Sequence, residues 1–166
     1  MSKSEPAMPL PSLEAFAAFP HSQATLCVGC SRVGRCRLGL QLRETQHDGA
    51  VLGTVCFAAE HEGAGGVAHG GSVMAAFDEI CGAVPLAASV LAVTADIQVS
   101  FRRPAPIQRE LDIRAWRHER NERGHWTIDA ELRLPQKDVV LATARARFVE
   151  RDPHAHYGRF RNWLDE

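Results

Sequence analysis

The stretch His69-Gly70-Gly71-Ser72-Val73-Met74-Ala75-Ala76-Phe77-Asp78-Glu79 decides how the chain is read. It opens a run from Gly70 to Ala92 in which nearly every residue is small or apolar. Val73, Met74, Phe77, Ile80, Cys81, Val84, Leu86, Val90 and Leu91 fall all round a helical wheel, not along one stripe. A helix apolar on every side is wrapped by protein or spans a bilayer. Asp78, Glu79 and Pro85 interrupt this one in mid-chain, which rejects the bilayer. The expectation is a single buried helix with the rest of a domain folded round it.

Asp78 is the awkward residue of that helix. A carboxylate on a wrapped helix loses hydration and must be compensated or protonated. Two readings are open: a functional carboxylate, or an acid at the helix edge paired with an arginine. The preceding Gly70 and Gly71 sit where a helix start presents free backbone N–H groups and the positive end of its dipole. Glycines there let a ligand approach the backbone, although a tight turn feeding a helix is the plainer explanation. Asp78 follows Gly71 by about two helical turns. A carboxylate that could attack, or take a proton from water, together with a donor for a developing oxyanion, outlines an acyl-transfer site.

Length and composition set the bounds. The chain has 166 residues, enough for one domain with a real core. Its net charge of −1 argues against nucleic acid or an anionic membrane as partner. The apolar fraction of 45% fits a soluble globular protein. Five cysteines make an odd number. The segment from Met1 to Pro11 has no basic region followed by an apolar one, so no signal peptide is expected. Reduced thiols and a cytoplasmic location follow as expectations.

Outward from the helix, the chain divides into a leader over 1–24, a domain over 25–150 and a polar tail over 151–166. The leader holds Pro6, Pro9 and Pro11, then Leu13 to Phe19, which could form two helical turns between Ser12 and Pro20. Cys27-Val28-Gly29-Cys30 and Cys36 hint at a metal knuckle, but zinc wants four ligands and only His21 or His47 could complete the set. A turn with packed thiols is preferred, with no metal. Leu38 to Glu44 alternates as a strand, His47-Asp48-Gly49 signals a hairpin, and Val51 to Phe57 returns. The loop Glu62-Gly63-Ala64-Gly65-Gly66 lacks the Lys-Ser/Thr of a phosphate loop. After the helix the period becomes two, through Val93–Phe101, Leu111–Ala115, Trp126–Leu134 and Val140–Phe148. Strands with one polar face make an antiparallel sheet with one face on a core. The expected architecture is a hairpin, a long helix and a four-stranded meander curved round it. The tail could form a short amphipathic helix packed through Tyr157, Phe160 and Trp163.

These features together resemble the hotdog fold, and specifically the PaaI-type acyl-CoA thioesterases of the 4-hydroxybenzoyl-CoA thioesterase superfamily. The resemblance spans about Cys27 to Glu150. It rests on Glu62-Gly63 before the loop, on His69-Gly70-Gly71 with an acid nine residues after the histidine, and on Thr94-Ala95-Asp96-Ile97-Gln98-Val99-Ser100-Phe101-Arg102-Arg103-Pro104-Ala105-Pro106. It implies an α+β fold, a curved antiparallel sheet round one long central helix. It also implies hydrolysis of an acyl-CoA thioester by a homodimer or a dimer-of-dimers tetramer, with no cofactor beyond the CoA of the substrate. By that resemblance Asp78 is the base or nucleophile and the Gly70 N–H polarises the thioester carbonyl. His69 lies beside the thioester, and Thr94 helps position water. Gly71 and Glu62 line the substrate, and Arg102 and Arg103 meet the CoA phosphates. Asp78 and Gly70 are then expected to act from different subunits.

One position departs from the pattern. Relatives often carry glutamine where this chain has Glu62. A second carboxylate there would either stay neutral and donate or face solvent, and solvent is favoured. The chemistry also suits the residues alone, because a thiolate leaves without a strong acid, so one base and one oxyanion donor can suffice. No Gly-x-Ser-x-Gly elbow is present. The rivals are a hotdog dehydratase, a zinc-knuckle module and, foremost, a non-catalytic acyl-CoA-binding protein. The acyl group is not readable at this level, and aryl and medium-chain groups both stay open.

Overall fold

The computed structural model describes Cys30 and residues 34–165. The leader, its expected helix over Leu13–Phe19, and Cys27 lie outside the described residues. Strands β1 (Leu40–Thr45) and β2 (Val51–Val55) form the expected hairpin. Asp48 Oδ1 accepts from the Ala50 N–H at 3.0 Å, and Gly49 turns the chain at φ 82°, a left-handed value that suits glycine. A small second hairpin, β3 (Glu62–Ala64) with β4 (Val67–Ala68), then leads into helix α1 (Gly70–Ala87). Strands β5 (Ala92–Phe101), β6 (Leu111–Arg120), β7 (His125–Leu134) and β8 (Val139–Glu150) follow, and α2 (Pro153–Asp165) closes the described chain.

One antiparallel sheet carries six strands in the order β1-β2-β6-β7-β8-β5. The four later strands are therefore not one meander. Only β6, β7 and β8 run consecutively; β2 joins the free side of β6, and β5 pairs with β8 at the far edge. The reason is the helix. Its 18 residues are about 27 Å long, and with its flanking loops it carries the chain from β2 past three strands to the opposite edge. Local alternation cannot show which strands become neighbours.

The inner face of the sheet packs on α1 through Leu111, Ile113, Ile128, Leu132, Ala146 and Phe148, all buried. From the helix, Val73, Ala76, Phe77, Ile80, Cys81 and Val84 meet them. The fold is thus α+β, a curved sheet round a central helix, as the periodicities imply. Alternation holds over Leu111–Ala115 of β6 and along β7 and fails in β5, where Ala95 and Phe101 are exposed and Ile97 and Val99 only half-buried. Helix α2 forms where the tail pattern placed it, but Phe160 and Trp163 are exposed and do not pack on the sheet. No helix among the described residues is long and apolar enough to cross a membrane.

Candidate active site

The start of α1 is held from below by the β3–β4 hairpin. Glu62 pairs with Ala68 across it, and Glu62 Oε1 accepts from the Gly66 N–H, closing the loop as an exposed acceptor. The His61 carbonyl accepts from the His69 N–H at 2.7 Å. Gly63 lies against His69 so closely that an added Cβ would sit 2.8 Å from the His69 Cα, so any side chain there displaces the backbone of the helix entry. His69 is the N-cap. Its Nδ1 accepts from the Gly71 N–H at 3.0 Å. An imidazole nitrogen that accepts carries no hydrogen, so the ring hydrogen lies on Nε2. Gly71 thereby spends its donor within the loop. The Gly70 N–H finds no acceptor among the described residues and stays available at the positive end of the helix dipole. The Phe101 ring lies over it, 3.3 Å from where a Gly70 Cβ would stand.

Two turns further on, Asp78 Oδ1 accepts from Thr94 Oγ1 at 2.7 Å. This contact depends on a bulge. In the β5–β8 pairing, Thr94 faces Phe148 and Asp96 faces Arg147, leaving Ala95 unpaired. Phe148 points into the core and Arg147 outward. Simple alternation puts Thr94 on the outer face with Asp96, Gln98 and Ser100. The extra residue reverses the phase and turns Thr94 inward, as bulges beside functional sites commonly do. Asp78 is thus partnered by a hydroxyl and not by an arginine. Asp78 and Thr94 stand at one end of a cleft of about 190 Å³ between α1 and β5, with Gly82 and Phe148 along it and Leu86, Val90 and Leu91 at the other end.

Burial, with a smaller push from Asp78, drives the neighbouring Cys81 thiol far above its ordinary range. It stays protonated and is no nucleophile. Cys30 is buried and Cys36 half-buried; the Arg37 N–H donates to Cys30 Sγ at 3.3 Å. No group of three His, Cys, Asp or Glu that could hold a metal occurs among the described residues.

With this geometry in place, residues 65–140 match the family model described as the thioesterase superfamily. The fold, a curved sheet round one central helix, is the hotdog fold. No curated protein matches the chain significantly. Among solved structures, a phenylacetic acid degradation-related protein of Ralstonia eutropha JMP134 is 20% identical with a TM-score of 0.66, over 81% of this chain and 98% of that one. The PaaI protein of the Escherichia coli phenylacetic acid degradation operon is 18% identical, TM-score 0.62, over 73% and 87%. A hypothetical thioesterase of Streptococcus pneumoniae TIGR4, crystallised with coenzyme A, is 18% identical, TM-score 0.63, over 69% and 90%. That protein was also solved as two alanine variants, of an aspartate and of a threonine sixteen residues later. The resemblance to PaaI-type hotdog thioesterases stands.

Within one hotdog chain the site residues form two groups. Asp78 and Thr94 are together; Glu62, His69, Gly70 and Gly71 are together at the helix start. Eight residues of helix, about 12 Å, separate Gly70 from Asp78, too far to act on one carbonyl. Arg102 and Arg103 follow β5, their N–H groups both donating to the Leu141 carbonyl at 2.8 and 2.9 Å. Their side chains are exposed and make no ion pair among the described residues. The sequence reading did not single out Phe101 over Gly70, or Gly82 and Phe148 in the cleft. A glycine inside an apolar helix was the one available signal for them.

Proposed function

We propose that this protein hydrolyses acyl-CoA thioesters to the free acid and CoA. The observation that carries the reading is the 2.7 Å Thr94–Asp78 contact at the polar end of the cleft between α1 and β5. The aspartate and threonine varied in the S. pneumoniae thioesterase have the same spacing as Asp78 and Thr94, and that protein's CoA supports the substrate class. Thr94 holds the carboxylate by one oxygen and leaves the other free. Asp78 either takes a proton from a water that attacks the carbonyl or attacks it directly. The carbonyl oxygen gains charge and the Gly70 N–H stabilises it. The C–S bond then breaks and CoA leaves as a thiolate. With Asp78 as base, the thiolate takes the proton that Asp78 removed from water; with Asp78 as nucleophile, an acyl–Asp78 anhydride remains, and water hydrolyses it to the free acid, restoring the carboxylate and supplying the thiolate's proton. His69 keeps an Nε2 hydrogen to offer the substrate, and Glu62 holds the loop that positions it. Water is the only co-reactant, so the chemistry calls for no cofactor.

The 12 Å between Gly70 and Asp78 supports a second copy of the chain, with each site taking the glycine of one protomer and the aspartate of its partner. The β5 edge fits that role. It is unpaired on one side, its apolar residues are incompletely covered, and an open edge strand invites pairing. A homodimer or a dimer of dimers follows. We assign Arg102 and Arg103, exposed at the end of that edge, to the CoA phosphates. Four free thiols among the described residues support a reducing, cytoplasmic setting.

The test is release of free CoA thiol from short, medium, long and aryl acyl-CoAs by the wild type and Asp78→Asn. Turnover by the wild type and a loss of about a hundredfold or more in the variant is the expected result. Equal rates would make Asp78 structural. Binding without turnover would favour the non-catalytic acyl-CoA-binding role.

A further inference from the structure

Gly82 lies in the fourth turn of α1, inside an 18-residue helix. A glycine there weakens a helix relative to alanine, so its presence calls for a reason. Backbone conformation supplies none, because Gly82 is helical and not among the glycines with positive φ. Close packing supplies none either. An added Cβ would meet only the edge of the Phe148 ring, at 3.4 Å, an ordinary contact. The fold would accept alanine. What a side chain would take up is the cleft, which Gly82 and Phe148 line between Asp78 at one end and Leu86 and Val90 at the other.

We propose that Gly82 is the residue that sets acyl-chain reach, its missing side chain leaving open the pocket that runs from Asp78 along α1. This rests on the acyl-CoA hydrolase reading above. Asp78 lies eight residues before Leu86, about 12 Å along the helix axis. The cleft of about 190 Å³ is somewhat larger than the roughly 150 Å³ apolar cavity known to hold one benzene. The polar groups of the lining are Asp78, Glu79 and Thr94, with both acids at the Asp78 end. Beyond them it is aliphatic, with Ala83, Leu86, Val90 and Leu91 beside the Phe148 ring. The pocket therefore suits compact acyl groups, chain or ring, of about six to eight carbons. Acetyl leaves most of it empty, and a sixteen-carbon chain exceeds it.

The experiment compares kcat/KM for acetyl-, hexanoyl-, octanoyl- and palmitoyl-CoA in the wild type and Gly82→Ala, with light scattering to follow assembly. The wild type is expected to favour the six- and eight-carbon substrates. In Gly82→Ala the octanoyl-to-acetyl ratio should fall about tenfold or more, the usual effect of one methylene in an apolar pocket. An unchanged ratio in the folded variant overturns the proposal. So does an unchanged ratio with loss of self-association, which would make Gly82 a crossing point between the helices of two copies. A wild type that prefers palmitoyl-CoA also overturns it. If the wild type cleaves no thioester, the proposed function fails, and calorimetric binding of octanoyl-CoA against CoA alone then reads the pocket directly. A tenfold weaker preference for octanoyl-CoA in Gly82→Ala supports the role of Gly82, and equal preference refutes it.

Discussion

Replacing Gly70 by proline removes one hydrogen-bond donor and almost nothing else. Gly70 is the first residue of α1, the position where a helix accepts proline because the N–H there has no partner within the helix. Its N–H has no acceptor among the described residues, so no internal bond is lost. The preceding His69 sits at φ −58° and ψ 137°, in the extended region that a residue before proline prefers. The new Cβ would lie 3.3 Å from the tip of Phe101, an exposed side chain that can move. Gly70→Ala introduces the same Cβ and keeps the N–H, so it is the matched control. The loss of one oxyanion donor costs about 10²- to 10³-fold in kcat, or roughly 3–4 kcal/mol. Since that interaction forms only in the transition state, kcat and kcat/KM should fall together with KM little changed. CoA thiol release on the best substrate of the panel reads this, with circular dichroism to confirm folding. If Gly70→Pro runs within a few-fold of Gly70→Ala, the Gly70 N–H is not the donor. The same variant tests the shared site. Random mixing of Gly70→Pro with Asp78→Asn protomers makes half the dimers mixed, each with one intact site, which should restore about a quarter of wild-type activity. Sites confined to one chain would restore none.

Two further outcomes follow from single contacts. Thr94→Val keeps the shape but removes the hydroxyl that holds Asp78 at 2.7 Å. A hydrogen bond to a charged group is worth about 1.5–3 kcal/mol, so kcat/KM should drop by about 10- to 150-fold. Thr94→Ser should recover most of it, and a valine variant as active as wild type would remove Thr94 from the site. Glu150 accepts from Arg120 Nε and from the Nε1–H of buried Trp126, both at 2.7 Å. The Arg120 bond, opposed by partial burial and aided by Trp126, holds the Glu150 carboxyl below its ordinary value. Because the folded value is the lower one, its contribution to stability is full above the unfolded carboxylate value and is lost as pH falls through the folded value. Urea unfolding should find Glu150→Gln less stable than wild type by roughly 1 kcal/mol at pH 7. The gap should narrow below about pH 4, and a gap that grows with acid would contradict the assignment.

Much of this protein was legible in one dimension because its signals are periodic or local. An apolar run with no polar face reads as a buried helix, and α1 spans Gly70–Ala87, although Val90 and Leu91 fall after its end and Met74 stays exposed. Period-two stretches became β6, β7 and β8 with one face on the core. The Gly-Gly pair fell at the helix start, and the displaced acid fell on the cleft. Less legible were neighbours across the sheet. A chain of alternating strands reads as a meander whatever its order, and here the helix crossover places β5 beside β8.

The sequence by itself determined the longer elements, though not the short β3–β4 hairpin, together with the inward face of most strands and the residue types on which a thioesterase reading can rest, because those depend on spacing along the chain. Tertiary structure alone decided three things. It paired Thr94 with Asp78 through a bulge at Ala95, which no count of alternating residues contains, because a bulge is defined by the partner strand. It set Gly63 against His69 and satisfied Gly71 from the His69 ring, leaving the Gly70 N–H without an acceptor among the described residues. And it carried β5 to the open edge of the sheet, beside the cleft that holds Asp78, because strand order is set by how the helix crossover packs and not by any spacing along the chain.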